Sequence, residues 1–538
     1  MSTTPPPRIV AVLLLLILFG ACVAAGLGTL GLVGPDEPRY AAVAREMAES
    51  GDWVTPRLHG QPWFEKPILY YWSGAAAMLA LGDTETAARL PSVLAALLAC
   101  IALAWAAQRT YNEATAYLFF LLLPATVAFI GFGRAATTDM MFSAMMTIAL
   151  AGGSCVARCT GDEHPRRVSM ISFGVFLGLA TLAKGPAAVV LAGGAVLLWA
   201  ALSGRWRAAR RLAHLDVIIA YAVVTLPWYV LAALRHPDFV NVFLISHNFE
   251  RFLTPVFRHE QPWWFYGPIV LLGVAPWTLL LLAPVRDALR ASVLGGWRNS
   301  PTLFYACWAL FPIVFFSISK SKLPGYILPA IPALVLLTAH AVERSIGRGE
   351  WLARLLAVGT GLMFIGLAAS AGYWAQRLPA ESGVDAAAGG APWLVGATLA
   401  GLLVAVLGAI KRTWAALGCA ALTIAALVMA IQFLILPSLD RHLSARQAAR
   451  ETQHIGFGAE GICVFRVHRA WHYGLNYYLR RELPEWGPGA ACAGLVFVPR
   501  ANLHQLAQQS RRMDIIHEVS EQALLVRVEL RQDQPVPD

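Results

Sequence analysis

Residues 9–40 read IVAVLLLLILFGACVAAGLGTLGLVGPDEPRY, an apolar run as far as Val33 and then Gly34-Pro35-Asp36-Glu37-Pro38-Arg39-Tyr40. A run of this length crosses a hydrocarbon layer of roughly 30 Å as a helix. It is too long for an ordinary signal-peptide core and follows a single arginine, Arg8, so it reads as a retained anchor. Comparable runs recur near 87–107, 114–132, 137–157, 168–183, 185–202, 214–234, 267–285, 302–318, 325–342, 351–374, 393–410 and 413–436. With 57% hydrophobic against 14% charged residues over 538 positions, the chain is expected to be an α-helical polytopic membrane protein of about 13 transmembrane helices. Coiled-coil, disordered and secreted disulfide-scaffold classes are excluded. No repeat of fixed period is visible, nor a matched pair of broken helices of the kind found in inverted-repeat transporters.

Arginine orients these spans. Arg158, Arg166 and Arg167, then Arg205, Arg207, Arg210 and Arg211, then Arg286, Arg290 and Arg298, then Arg344 and Arg348, and finally Lys411 and Arg412 fall in loops that share one side if the N-terminus is cytoplasmic. The net charge of +10 is thus topological, and no nucleic-acid motif accompanies it. Three longer segments then share the outer face: the loops 34–86 and 235–266, and the tail from Pro437. Residues 1–436 form a membrane domain, and 437–538, with β-like runs at 462–467, 494–498 and 523–528, a small soluble α/β domain outside the membrane. Six of the eight cysteines lie in or beside apolar spans. Cys463 and Cys492 are in the tail, on the oxidising side, and either bridge or stay as two buried thiols.

Lysine runs against the orientation rule. The chain has five lysines among 42 basic residues, and Lys66, Lys184, Lys320 and Lys322 map to outer helix ends. A compact ammonium there suits an anionic ligand, or a snorkelling anchor. Tyr326 follows Lys320 and Lys322 across a Pro324-Gly325 turn, where a phenol serves either as a phosphate donor or as a belt anchor. Asp36 and Glu37 open the first outer segment beside Arg39 and Tyr40, either as a solvated turn or as a substrate- or metal-positioning group. Glu65 adjoins Lys66 within an aromatic stretch; Asp139 starts a span at the outer boundary, as a helix cap or an active carboxylate. His247 and Arg251 lie in the second outer loop. No GxSxG, Walker A, HExxH or dinucleotide motif is present. Acids and bases gathered at one membrane surface suit transfer chemistry on a lipid-borne phosphate better than transport, which leaves ionisable groups near mid-span.

The order and spacing of these motifs resemble the GT-C glycosyltransferases that use lipid-phosphate sugars. Gly34 to Tyr40 with Arg45-Glu46-Met47, then Phe64-Glu65-Lys66-Pro67, Leu182-Ala183-Lys184-Gly185, His236-Pro237-Asp238-Phe239, and Ser319 to Pro324 followed by Tyr326-Ile327-Leu328-Pro329, are similar to the 4-amino-4-deoxy-L-arabinose lipid A transferases. The resemblance implies an inner-membrane, periplasm-facing pentosyltransferase that takes aminoarabinose from undecaprenyl phosphate, with inversion, to lipid A phosphate, giving polymyxin resistance. It implies catalytic Asp36 and Asp139, and substrate contacts from Lys66, Arg251, Tyr326, Glu65, Arg39, Tyr40, Lys184, Lys320 and Lys322. No cofactor is required, although Glu65 and His247 are candidate ligands of a divalent metal; the enzyme is expected to be monomeric. The alternative implied by the related protein O-mannosyltransferases is a protein or polysaccharide acceptor.

Overall fold

The computed structural model describes residues 8–159, 166–241, 243, 260–294, 296–375, 386–455, 461–487, 492, 494–520 and 522–530. It divides into two compact units: Met1–Ala25, Phe64–Tyr70 and Pro91–Met429 in one, Gly26–Trp63, Tyr71–Leu90 and Ala430–Asp538 in the other.

Among the described residues, seven helices are long and apolar enough to cross a membrane, or nine if each of two bent pairs is one span. The remaining predicted spans fall on shorter apolar helices, Arg8–Ala24, Ala187–Ser203, Thr302–Ile318 and Leu394–Ala409, and a further one, Leu69–Leu81, was not anticipated. Thr138–Ala157 is the innermost, 94% buried, whereas Leu215–Arg235 is only 22% buried and turns Ile218, Ile219, Val223 and Leu226 outward as a lipid-facing surface requires. Small residues let the helices approach. A Cβ on Gly174 would meet the Val217 carbonyl at 2.5 Å, and one on Gly361 the Gly401 carbonyl at 2.5 Å. Several buried hydroxyls turn back on their own helices, Thr147 to the Ser143 carbonyl (2.7 Å) and Thr181 to that of Leu177 (3.0 Å), which keeps their donors satisfied away from water.

Two spans expected to be straight are broken. Glu113–Ala125 and Val127–Gly133 meet at 64°, and Tyr266–Val274 and Trp277–Val293 at 112°. Pro124 and Pro276 remove donors at the breaks. The freed groups serve one another: the Val127 amide donates to the Ala275 carbonyl (2.9 Å) and Trp277 Nε1 to the Leu122 carbonyl (2.9 Å). Irregular backbone at this depth survives because protein surrounds it.

In the second unit an ion pair organises the chain leaving the first apolar run. Arg89 donates through Nε and Nη2 to both carboxylate oxygens of Glu37 (2.9 and 2.6 Å) and through its remaining hydrogens to the Leu27, Leu30 and Gly31 carbonyls. Glu37 also accepts from the Val33 amide (2.8 Å), and both side chains are buried. Arg446 grips the same turn from the tail, donating to the Gly28 and Thr29 carbonyls, to Asp440 and to Glu85. The grouping therefore joins the first outer segment, apart from Phe64–Tyr70, to the tail, whereas the sequence places a boundary at 436/437.

The tail carries a four-stranded sheet: β3 (Ile462–Val464), β4 (Leu495–Val498), β5 (Ser510–Ser520) and β6 (Ala523–Leu530) in the order β3-β4-β6-β5, with β1 (Arg57–Leu58) and β2 (Gln61–Pro62) forming a separate hairpin. β3 and β4 are parallel and buried, with apolar clusters on both faces, and the β4-β6 and β6-β5 pairs are antiparallel. β5 escaped the sequence reading because it is a charged edge strand, with Arg511, Arg512, Asp514 and Glu518 and several register shifts, the features that discourage edge-to-edge pairing. Cys463 and Cys492 form a disulfide, Cα–Cα 5.9 Å.

Two outcomes follow. Arg89→Met leaves the Glu37 carboxylate buried without a counter-charge and should cost about 3–5 kcal/mol, lowering the thermal midpoint in detergent, while Glu37→Gln with Arg89→Met recovers part of the loss. Maleimide labelling of denatured, unreduced protein should modify the six free cysteines, with Cys463 and Cys492 reacting only after reduction.

Candidate functional site

In the membrane unit the sequence brings its charges to helix ends. Asp139 occupies the first turn of Thr138–Ala157 and Lys184 is the last residue of Arg167–Lys184, so two consecutive spans running in opposite directions return them to one level. They form a hydrogen-bonded ion pair in which both side chains are largely buried. The Lys184 ammonium lies 5.2 Å from the Tyr326 ring centre and 5.6 Å from that of Phe142, a cation held between aromatic faces. Gly325 makes this possible: a Cβ there would sit 3.0 Å from Asp139 Oδ1 and 3.1 Å from Phe132. The Tyr326 ring packs on Phe316 at 4.9 Å, and its hydroxyl makes no hydrogen bond among the described residues. The result is a carboxylate, an ammonium and a phenol at one helix end, able to hold an anionic group through charge and hydrogen bonding.

Lys66 and Glu65 form a neighbouring-residue pair (Nζ to Oε1 3.3 Å), both sheltered. The adjacent Phe64 packs edge-on to Phe239 (4.9 Å) and tilted to His236 (5.1 Å), so the Phe64-Glu65-Lys66-Pro67 and His236-Pro237-Asp238-Phe239 motifs meet through their aromatics. The two lysines after Ser319 diverge. Lys322 is buried and donates to the Ser319 and Gln261 carbonyls (2.5 and 3.0 Å), which builds the turn, while Lys320 is exposed.

In the second unit Asp36, 46% exposed, accepts a 2.5 Å bond from Arg39 Nη2, whereas the Arg39 side chain is only 5% exposed. Arg39 lies over the rings of Tyr40 (5.2 Å), Trp63 (5.5 Å) and Tyr473 (5.4 Å). Tyr40 itself is buried and edge-on to Tyr71, so it supports Arg39 from within. The two neighbouring acids therefore separate in role: Glu37 is consumed by Arg89 and Asp36 faces outward. A cavity of about 430 Å³ in this unit is lined by Arg45 and Glu46, which belong to one of the motifs quoted from the sequence, and by Glu49, His59, Arg480 and their neighbours, which do not; burial holds His59 below its ordinary pKa.

Arg251 and His247 lie outside the described residues, and with His247 goes one of the two metal ligands expected. Among the described residues no three His, Cys, Asp or Glu side chains converge as a metal-ligand group. Phe142, Phe132 and Tyr473 were missed because aromatic character is common in membrane spans and says nothing of a cation nearby. The Asp139–Lys184 pairing was legible in principle, since both residues fall at the same end of adjoining antiparallel spans.

A double-mutant cycle tests that pair. Lys184→Met and Asp139→Asn should each lower the unfolding free energy in detergent, with a coupling of about 1–3 kcal/mol, and additive losses would show the two charges to be independent.

With the geometry in place, similarity to known proteins can be read. Residues 8–243 match the family described as dolichyl-phosphate-mannose-protein mannosyltransferase. A curated Pseudomonas aeruginosa protein named undecaprenyl phosphate-alpha-4-amino-4-deoxy-L-arabinose arabinosyl transferase is 32% identical over 353 residues, 65% of this chain and 62% of that protein. One of the same name from Edwardsiella ictaluri is 32% identical over 314 residues, 58% and 56% respectively. The alignments thus span roughly three-fifths of these relatives' length. The crystal structure of ArnT from Cupriavidus metallidurans bound to undecaprenyl phosphate superposes with a TM-score of 0.78 at 24% identity, covering 96% of this chain and 97% of that one. The archaeal oligosaccharyltransferase AglB from Archaeoglobus fulgidus follows at 0.53 and 12% identity, covering 93% and 70%. The chain is therefore a multi-span membrane protein with the fold seen in the ArnT structure, and is similar in sequence to proteins named as aminoarabinosyl transferases.

Proposed function

We propose that this protein is a polyprenyl-phosphate-dependent glycosyltransferase that moves 4-amino-4-deoxy-L-arabinose from undecaprenyl phosphate to a phosphate of lipid A. The observation that carries the reading is the 32% identity to transferases named for that donor, joined to an aromatic-walled Asp139–Lys184–Tyr326 cluster at one helix end. A phosphate-linked donor calls for fixed positive charge and a hydrogen-bond donor at its leaving group, and these side chains supply both.

In the proposed reaction a lipid A phosphate oxygen attacks C1 of the sugar, the bond from C1 to the donor phosphate oxygen breaks, and undecaprenyl phosphate departs with the electron pair. In-line attack inverts C1. Charge grows on the departing phosphate, so interactions stronger there than in the ground state accelerate transfer. Lys66, Lys184, Tyr326 and, by its motif, Arg251 are assigned to that phosphate; Asp139 holds Lys184 in place. The acceptor phosphate is already anionic near neutral pH, so Asp36 is assigned to orienting acceptor or sugar, not to removing a proton. Arg39 fixes Asp36. The placement is an inner membrane with the reaction and the 437–538 domain on the periplasmic side, in keeping with the arginine-rich loops on the opposite side. Neutralising lipid A phosphates with an amino sugar would give resistance to polymyxin and other cationic peptides.

A second reading draws on the mannosyltransferase family match over residues 8–243, and would give the same donor chemistry a protein acceptor. Mass spectrometry of lipid A from cells with and without the gene separates the two. An added aminoarabinose that depends on the gene, and that falls at least tenfold with Lys66→Ala or Tyr326→Ala at equal protein levels, is the expected result. Unchanged lipid A with a gene-dependent glycoprotein would establish the second reading.

A further inference from the structure

At the far end of the Thr138–Ala157 helix lies a second chamber in the membrane unit. Its volume is about 260 Å³, with Arg158, Arg205, Asn299 and Ser300 on its polar side and Trp199 and Phe304 on its apolar side. The helix places it about 29 Å from Asp139, at 1.5 Å per residue, so it has no part in the cluster already described. The walls come from the last turns of Glu85–Thr110, Thr138–Ala157 and Ala187–Ser203, the first turn of Thr302–Ile318, and the connecting residues Arg205 and Asn299 to Pro301.

Among the described residues the chamber carries only positive charge. Arg158 donates to the Arg109 carbonyl and to Cys155 Sγ (3.6 Å), and its Nε is buried without a partner. Among the described residues the Arg205 side chain donates to the Ala157 carbonyl (3.3 Å). Among the described residues neither guanidinium has a carboxylate partner, and no acid lines the chamber. Other arginines at this side do find one, as Arg167 with Asp216 and Arg286 with Glu350. Two half-buried guanidiniums beside aromatic walls, with no carboxylate partner among the described residues, are matched in charge and geometry to an anion. The aromatic side, with Trp199 edge-on to Phe304 at 5.5 Å, suits the glycerol and first methylenes of a lipid. Basic pockets between transmembrane helix ends hold lipid phosphates in this way, and guanidinium forks match phosphate oxygens.

We infer that this chamber binds the head-group phosphodiester of an anionic glycerophospholipid, through Arg158 and Arg205, on the membrane side opposite the Asp139–Lys184 cluster. A net-anionic head group is favoured over a zwitterionic one because a choline or ethanolamine cation would face two guanidiniums, and no acid among the described residues lines the chamber to receive it. The site is independent of the glycosyl-transfer reading.

The test uses the purified full-length protein in detergent, with binding of short-chain phosphatidylglycerol followed by native mass spectrometry and by thermal shift. Phosphatidylglycerol should bind at least tenfold more tightly than phosphatidylcholine of the same chain length. Arg205→Gln should weaken it fivefold or more, and Asn299→Asp, an acid added at an exposed position of the rim, should do so without touching the helices. Arg298→Gln, exposed nearby and stacked on Trp297, should leave it unchanged. Equal binding of the two lipids, or undiminished binding by both Arg205→Gln and Asn299→Asp, overturns the proposal. Displacement of phosphatidylglycerol by equimolar inorganic phosphate would reassign the chamber to a free anion, and preferential displacement by undecaprenyl phosphate to a polyprenyl monoester; each overturns the phospholipid assignment.

Discussion

Inside hydrocarbon every polar group must find a partner within the protein, and the membrane unit is arranged around that requirement. Where two spans break, the Val127 amide, the Ala275 carbonyl, the Trp277 indole and the Leu122 carbonyl satisfy one another, so two irregular segments make one regular contact. The same requirement explains why Lys322 caps two carbonyls and why Thr147, Thr181 and Thr360 bond to their own helices. It also sorts the ionisable groups, since those that are neither paired nor capped are the ones with something left to bind.

Much of the membrane architecture was legible because hydropathy reports directly on burial in lipid. Each predicted apolar run carries a helix or a bent helix pair, although the first, 9–33, is helical only as far as Ala24. What the runs do not report is direction within a run: Pro124 and Pro276 sit inside sequences apolar enough to pass as single straight spans, and only the packing of one break on the other shows why kinks are tolerated. The first outer segment illustrates a second limit. Asp36 and Glu37 are adjacent and chemically alike, yet a helical step points one outward and buries the other against Arg89, a residue half a hundred positions later whose role no local pattern announces.

The site was partly legible through composition. Lysines are rare here and stand at helix ends, which marked Lys66, Lys184, Lys320 and Lys322 before any contact was known. The structure separates them by the company each keeps: Lys184 with a carboxylate and two rings, Lys66 with Glu65, Lys322 with backbone oxygens, Lys320 with solvent. A residue type can mark a neighbourhood, but the local geometry decides between binding and building. Aromatic partners were the least visible element, because Phe142 and Tyr473 have no signature beyond their abundance in such chains.

The Thr138–Ala157 helix carries a consequence of its own. It is almost fully enclosed, begins beside Asp139 and ends beside Arg158, so it works as a ruler between the two faces of the membrane unit. Adding one residue to it would lengthen the rod by about 1.5 Å and turn one end about 100° relative to the other. No lipid-facing side is available to absorb that twist, and either the carboxylate or the guanidinium would be carried out of register. Neighbouring spans can drift in length through evolution, because lipid is an indifferent surface; this one is fixed by what stands at both of its ends.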